Sequence, residues 1–209
     1  MKNYFFALTS LITVSAYSQK PIYYFDENDI EISEKIYLEK YRNREDSIYY
    51  HSISLENDTC FVQKLVNKEP KGRLSKKAFD VLISSLNKSN PKPKAKYTVI
   101  QYYPGKDRCN GGKFYGNRFD KGYLRKLKKE FSFNNYWVYK FDESMDFSSN
   151  SRVNWQLDEN RTVERLFFKY HYPCSSFIIL DNESKNYIGW LGEYGDSNVT
   201  GALNKFAQK

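Results

Sequence analysis

The most constraining stretch of this chain is Ser175 to Leu180 (SSFIIL), followed by the polar turn Asp181-Asn182-Glu183-Ser184 and a second run at Tyr187 to Leu191. An apolar run of strand length, bounded by turn residues and answered by another just beyond the turn, reads as a buried hairpin. The fold must therefore contain a sheet with a covered face. At 209 residues the chain has room for one medium domain or two small ones and can bury a sizeable core. Its 19 Tyr and 15 Phe exclude wholesale disorder, and no collagen, coiled-coil or multi-span pattern is present.

Upstream, Lys20 to Phe25 (KPIYYF) and Ser47 to Leu55 (SIYYHSISL) read as strands, and Thr59 to Val66 (TCFVQKLV) as a third hairpinned onto the second. Ser33 can cap a helix over Glu34 to Tyr41, and Ser75 one over Lys76 to Leu86, where Phe79, Leu82, Ile83 and Leu86 form a stripe. A Pro/Lys linker, Asn87 to Lys96, leads to a strand at Tyr97 to Tyr103 (YTVIQYY) and a loop from Pro104 to Gly116. A Leu/Lys helix from Asp120 to about Phe131, a strand at Tyr136 to Phe141 and a polar, irregular stretch to Glu159 follow. Thr162 to Phe168 is expected to be helical, as is Asn198 to Ala207.

Residues Met1 to Ser18 have the form of a secretory leader: Lys2, an apolar run from Tyr4 to Ala16, and a small-x-small site at Ala16-Tyr17-Ser18 before Gln19. The expected location is exported, periplasmic or secreted, with no transmembrane span in the mature chain; an uncleaved anchor is the alternative. Cys60, Cys109 and Cys174 then meet an oxidising compartment, and an odd number allows one internal bridge at most. Cys60 is expected on a strand as a buried free thiol.

The order strand, cysteine-bearing loop, helix, strand, irregular helix, proline-led strand, hairpin strand, terminal helix resembles the thioredoxin superfamily. Tyr172-Pro173-Cys174-Ser175-Ser176-Phe177-Ile178-Ile179-Leu180-Asp181 is similar to that family's Pro-led strand, and Gly192 to the glycine after its last strand. The resemblance implies a cis Pro173 facing the site. The implied fold is α/β (α+β overall): a thioredoxin-like central sheet with flanking helices over 76–209, preceded by a small N-terminal α+β lobe over 19–75. The chain departs from the family at the catalytic loop, where Cys109 is followed three residues later by Gly112 and the Cys-x-x-Cys pair is absent.

The resemblance also implies that Cys174, next to the proline, lies near the Cys109 loop. The pair then reads either as a redox centre spread over two segments or as a plain stabilising bridge or two unpaired thiols. Lys106 and Arg108 would favour a Cys109 thiolate, and His171 could serve as a base or stand as a surface histidine. His51 and His171 lack metal-site spacing, no phosphate- or dinucleotide-binding motif is present, and Gly111, Gly112 and Gly116 read as turn residues. No cofactor or metal is expected. The excess of 33 Lys+Arg over 25 Asp+Glu, concentrated at Lys121, Arg125, Lys126, Lys128 and Lys129 and at Lys92, Lys94 and Lys96, reads as solvated surface. It suits an envelope surface or a protein partner better than nucleic acid.

Three readings of function result. The first is a non-catalytic binding or structural module that kept the fold and lost the dithiol. The second is a thiol–disulfide oxidoreductase or thiol peroxidase using Cys109, with Cys174 as the resolving cysteine. The third is an unrelated α+β fold in which the Pro173 match is accidental.

Overall fold

The computed structural model describes residues 20–43, 49–89, 93–107, 109, 121–140 and 154–208. The leader reading over Met1–Ser18 lies outside those residues, as do Arg108, Gly111, Gly112, Gly116, Lys92 and residues 141–153. Among the described residues no helix is long and apolar enough to cross a membrane.

The described residues are mixed α and β, with five helices and two mixed sheets. Strands β1 (Ile22–Phe25), β2 (Glu31–Ile32), β3 (Tyr50–Glu56) and β4 (Phe61–Asn67) form the first sheet, in the order β2-β1-β4-β3. β1 and β4 run parallel, and the outer pairs are antiparallel. Helix α1 (Glu34–Arg42) begins at Ser33, whose Oγ accepts the Ile36 N–H at 3.4 Å. The helix is fastened by Tyr37, which is buried, packs its ring tilted against Tyr24 with centres 5.1 Å apart and donates its hydroxyl to Ser52 Oγ at 2.6 Å.

The second sheet takes β5 (Lys71–Arg73), β6 (Tyr97–Tyr103), β7 (Phe133–Tyr139), β8 (Trp155–Leu157), β9 (Ser176–Asp181) and β10 (Asn186–Trp190) in the order β5-β10-β9-β6-β7-β8. β6, β7 and β8 are parallel; β9, β10 and β5 alternate in direction. The hairpin legible in the sequence sets Ile179 opposite Ile188. Its turn is tied by Asp181 Oδ1, which accepts the Glu183 and Ser184 amides at 2.9 and 2.8 Å.

Four helices cover this sheet: α2 (Lys76–Ser89), α3 (Lys121–Glu130), α4 (Thr162–Phe167) and α5 (Asp196–Ala207). Alternation along β6 sends Ile100 and Tyr102 to one face and Tyr97 and Val99 to the other. On the first face, Ile178, Leu180 and Val138 meet Leu82 and Leu86 of α2 and Val163 and Phe167 of α4. On the second, Phe177, Ile179 and Trp137 meet Leu127 of α3 and Val199, Ala202 and Leu203 of α5. All seven residues of β6 are buried, as a central strand covered on both sides requires. Gln101 is accommodated in that core because its side-chain amide donates to Asn135 Oδ1 at 2.8 Å and its carbonyl accepts the Tyr194 hydroxyl at 3.1 Å.

The two sheets are continuous through the segment after β4. Lys68 and Pro70 carbonyls accept the Leu191 and Gly189 amides at 2.8 and 3.0 Å, and the chain then enters β5 against β10. Ile53 of the first sheet joins the core beneath α2. β5 thus belongs to the second sheet, although it lies before residue 76.

Some local expectations differ from the structure. Cys60 is not on a strand; it closes the β3–β4 turn half-buried, because Asn57 Oδ1 accepts the Thr59 and Cys60 amides at 2.9 and 2.8 Å and delays β4 to Phe61. α2 also runs one turn past Leu86, so the Pro/Lys linker is shorter than its composition suggests.

Candidate functional site

Beyond the carboxyl end of β6 the chain turns through Pro104 and Gly105, both buried, and Gly105 takes a φ of +102° that favours glycine. This turn delivers Asp107 and Cys109 to the loop between α4 and β9. Asp107 is the organising group. Its Oδ1 accepts the Cys109 N–H at 2.8 Å, a local turn between residues two apart. Its Oδ2 accepts the Cys174 N–H, also at 2.8 Å, from a segment 67 residues away. One carboxylate therefore holds the backbones of two cysteines, and Cys109 and Cys174 are joined by a disulfide with their Cα atoms 5.1 Å apart.

The bridge is asymmetric in exposure: Cys109 is exposed and Cys174 is 7% accessible. Cys174 sits at φ +72°, and the Ser175 N–H donates to the Pro173 carbonyl at 3.1 Å, which makes a γ-turn centred on Cys174. A side-chain-bearing residue in this region costs on the order of 1 kcal/mol, offset here by the disulfide and the Asp107 bond. The expected cis bond at Pro173 is not present: Pro173 is trans and exposed. The bend that leads into β9 is made one residue later, by the left-handed Cys174, so a cis bond is not needed to turn the chain.

Behind the bridge, the Ser176 hydroxyl accepts the Gly192 N–H at 2.9 Å and draws the end of β10 toward the start of β9. Gly192 has φ +75°, and a Cβ there would lie 2.3 Å from His51 Nε2. The His51 ring is thus laid against that glycine, with Nε2 2.6 Å from the Leu191 carbonyl, to which its N–H donates. It also faces Tyr172, ring centres 5.9 Å apart. Burial pulls the His51 imidazole below its ordinary range and Lys68 adds to this, while the Leu191 bond works against it. Burial likewise pushes the Tyr172 phenol up.

The Gly192 turn brings Glu193 over the bridge. A Glu193 carboxylate oxygen and the sulfurs of Cys109 and Cys174 all lie within 4.8 Å of one another. Among the described residues this is the one group of three such donors close enough to share an ion.

Of the residues singled out from the sequence, the structure brings Cys109 and Cys174 together and places Pro173 beside them. His171 lies with Nε2 3.4 Å from Asp107 Oδ2, facing the carboxylate that cradles the bridge, and it becomes the cation of an ion pair when protonated. Lys106 is exposed on the loop, and Arg108 lies outside the described residues. Asp107, Glu193 and the Gly192–His51 contact were not identified from the sequence. Asp107 had a local signal, an acidic residue two positions before a loop cysteine; Glu193 had none, since only the fold carries it to the sulfurs.

No family model, curated protein or solved structure matches this chain.

Proposed function

We propose that the chain is an exported, thioredoxin-like binding or structural module, in which the Cys109–Cys174 cystine is a staple rather than a catalytic dithiol. The carrying observation is the charge around the bridge. The Asp107 carboxylate is anchored on both cystine amides, and the Glu193 carboxylate stands within 4.8 Å of both sulfurs. A redox-active disulfide is labile when its reduced form is stabilised, which means cations or amide donors beside the thiolates. Two carboxylates oppose thiolate formation and leave the bridge as the favoured state.

The family reading is supported by the element order from β6 to α5 and by a central sheet in which β6 and β7 are parallel and β9 reverses between β6 and β10. With Pro173 trans and the second loop cysteine absent, the chain lacks the features on which that family's dithiol reaction rests, which supports a non-catalytic role. Export is supported by the leader-like first eighteen residues and by the bridge itself. The basic surface suits an anionic envelope surface or an acidic protein partner.

The test is thiol counting together with turnover. The mature chain should show one reactive thiol when native and three after reduction, and it should not catalyse reduction of insulin or glutathione disulfide. Turnover at the rate of a dithiol enzyme overturns the proposal.

One observation favours the redox alternative. Cys109 is exposed while Cys174 is buried, which is how an attacking and a resolving sulfur are arranged. Under that reading the Cys174→Ser variant accumulates mixed disulfides at Cys109, and under the staple reading it does not.

A further inference from the structure

We propose that the reduced chain holds a thiophilic divalent cation such as Zn2+ between Cys109, Cys174 and Glu193, and that the disulfide is the closed, metal-free state of the same site. This goes beyond the staple reading and does not rest on it, because it concerns the chain after the bridge is opened.

The geometry is close to what such an ion requires. Zinc–sulfur bonds of about 2.3 Å and zinc–oxygen bonds of about 2.0–2.2 Å set tetrahedral donors roughly 3.5–3.8 Å apart. The three donor atoms are already within 4.8 Å of one another. Opening a disulfide to that spacing moves the sulfurs apart by less than about 2 Å. Cys109 is exposed, so its side chain can supply this movement, whereas Cys174 is buried and set by the γ-turn. The backbones stay in register when the S–S bond breaks, because Asp107 still accepts the amides of both cysteines at 2.8 Å. A carboxylate that positions two ligands from outside the metal's own shell raises affinity. Two thiolates and a carboxylate make three protein ligands, and the exposed side of Cys109 and Glu193 leaves the fourth position to water.

The charge that disfavours a free dithiolate here favours a metal dithiolate. With both thiols ionised, the Glu193 carboxylate adds a further negative group within 4.8 Å of the sulfurs, and a divalent cation neutralises two of the three charges. The chemistry balances as two steps. An external dithiol passes two electrons and two protons to the cystine and becomes a disulfide, leaving two thiols on the chain. The cation then binds and releases the two thiol protons. Binding to the reduced form alone draws the equilibrium toward reduction by a factor of about 1 + [metal]/Kd.

The experiment uses the full mature chain, reduced with a phosphine, and Co2+ as probe. The expected result is one equivalent bound, with thiolate-to-cobalt absorption in the near ultraviolet, displaced by Zn2+ and absent in the oxidised chain. Cys60→Ser should keep the spectrum, Cys109→Ser should abolish it, and Glu193→Gln should weaken binding at least about tenfold. A second measurement needs no stable reduced apo-chain: in a dithiothreitol redox buffer, Zn2+ at a hundred times its Kd should favour the reduced form about a hundredfold. No cobalt absorption, absorption that survives Cys109→Ser, or a redox midpoint indifferent to Zn2+ overturns the proposal. Disulfide-reductase turnover reads the bridge as a catalyst and metal titration reads the thiols as ligands, so either proposal can fail without the other.

Discussion

The Asp107 carboxylate and the Cys174 amide meet at 2.8 Å across 67 residues, and this bond joins the loop after β6 to the turn before β9 independently of the disulfide. The carboxylate side chain is only 10% exposed and accepts the Cys109 amide with its other oxygen. Asp107→Asn replaces one acceptor with an NH2 group that faces an N–H, and Asp107→Ala removes both. Each should destabilise the oxidised chain by about 1–3 kcal/mol in denaturant unfolding, since a buried amide loses its partner. Unchanged midpoints in both variants would show that the carboxylate is incidental to the bridge.

Breaking the bridge itself should cost more. It closes a loop with a sequence separation of 65, for which chain entropy gives about 4 kcal/mol, and native bridges commonly contribute 2–5. The Cys109→Ser/Cys174→Ser chain should lose stability of that order. Cys60→Ser should lose far less, because Cys60 is half-buried in a turn held by Asn57. A double variant within about 0.5 kcal/mol of the parent would exclude the staple reading.

Legibility in the sequence followed locality. Ser33 and Ser75 cap as their spacing says, and Asp181 ties the hairpin, because each acts on amides within three residues. YTVIQYY reads as a strand and is one, its apolar residues divided between two cores. The three-residue strands β5 and β8 were not legible, since Lys71–Arg73 and Trp155–Leu157 are extended only by virtue of β10 and β7 beside them. At the site, the resemblance implied only that Cys174 lies near the Cys109 loop, with a redox pair, a plain bridge and two unpaired thiols all open, and it implied a cis Pro173 where the structure turns instead at Cys174. A proline is visible in a sequence, whereas a left-handed cysteine is not; its φ is imposed by the disulfide and by Asp107 from another segment.

Gly192 and His51 should be coupled. Gly192→Ala adds a Cβ 2.3 Å from the His51 ring at a φ of +75°, so clash and backbone strain combine to about 2–4 kcal/mol. In a His51→Ala background the clash is gone and the strain alone remains, about 1–2 kcal/mol. The double variant should therefore cost less than the two single changes added together. Additive costs would mean that ring and glycine do not press on one another.

Acidification should loosen the same junction, and the sign follows from which state takes up the proton. Burial, with a smaller contribution from Lys68, holds the His51 imidazole below its ordinary 6.5, against the opposing pull of the Leu191 carbonyl. As pH falls through about 6.5, the unfolded chain binds a proton at His51 before the folded chain does. Stability is thus fully present above that pH and declines below it, by at most about 1.4 kcal/mol per pH unit, until the buried ring itself is protonated. The Lys68 charge acts on the ring, so the new imidazolium is opposed by a cation, and the ring also meets the Leu191 carbonyl, Tyr172 and the Gly192 backbone. Glu164 gives a separate, lower window. The Arg161 hydrogen bond, with Lys140, holds its carboxyl below the usual 4.5, so that contribution is lost only as pH falls below about 4.5. Denaturant midpoints measured from pH 8 to pH 4 should show the upper decline in the parent and lose it in His51→Gln, which keeps an N–H for Leu191 but cannot titrate. A parent profile that is flat between pH 7 and pH 5 would show that His51 is not held neutral in this fold.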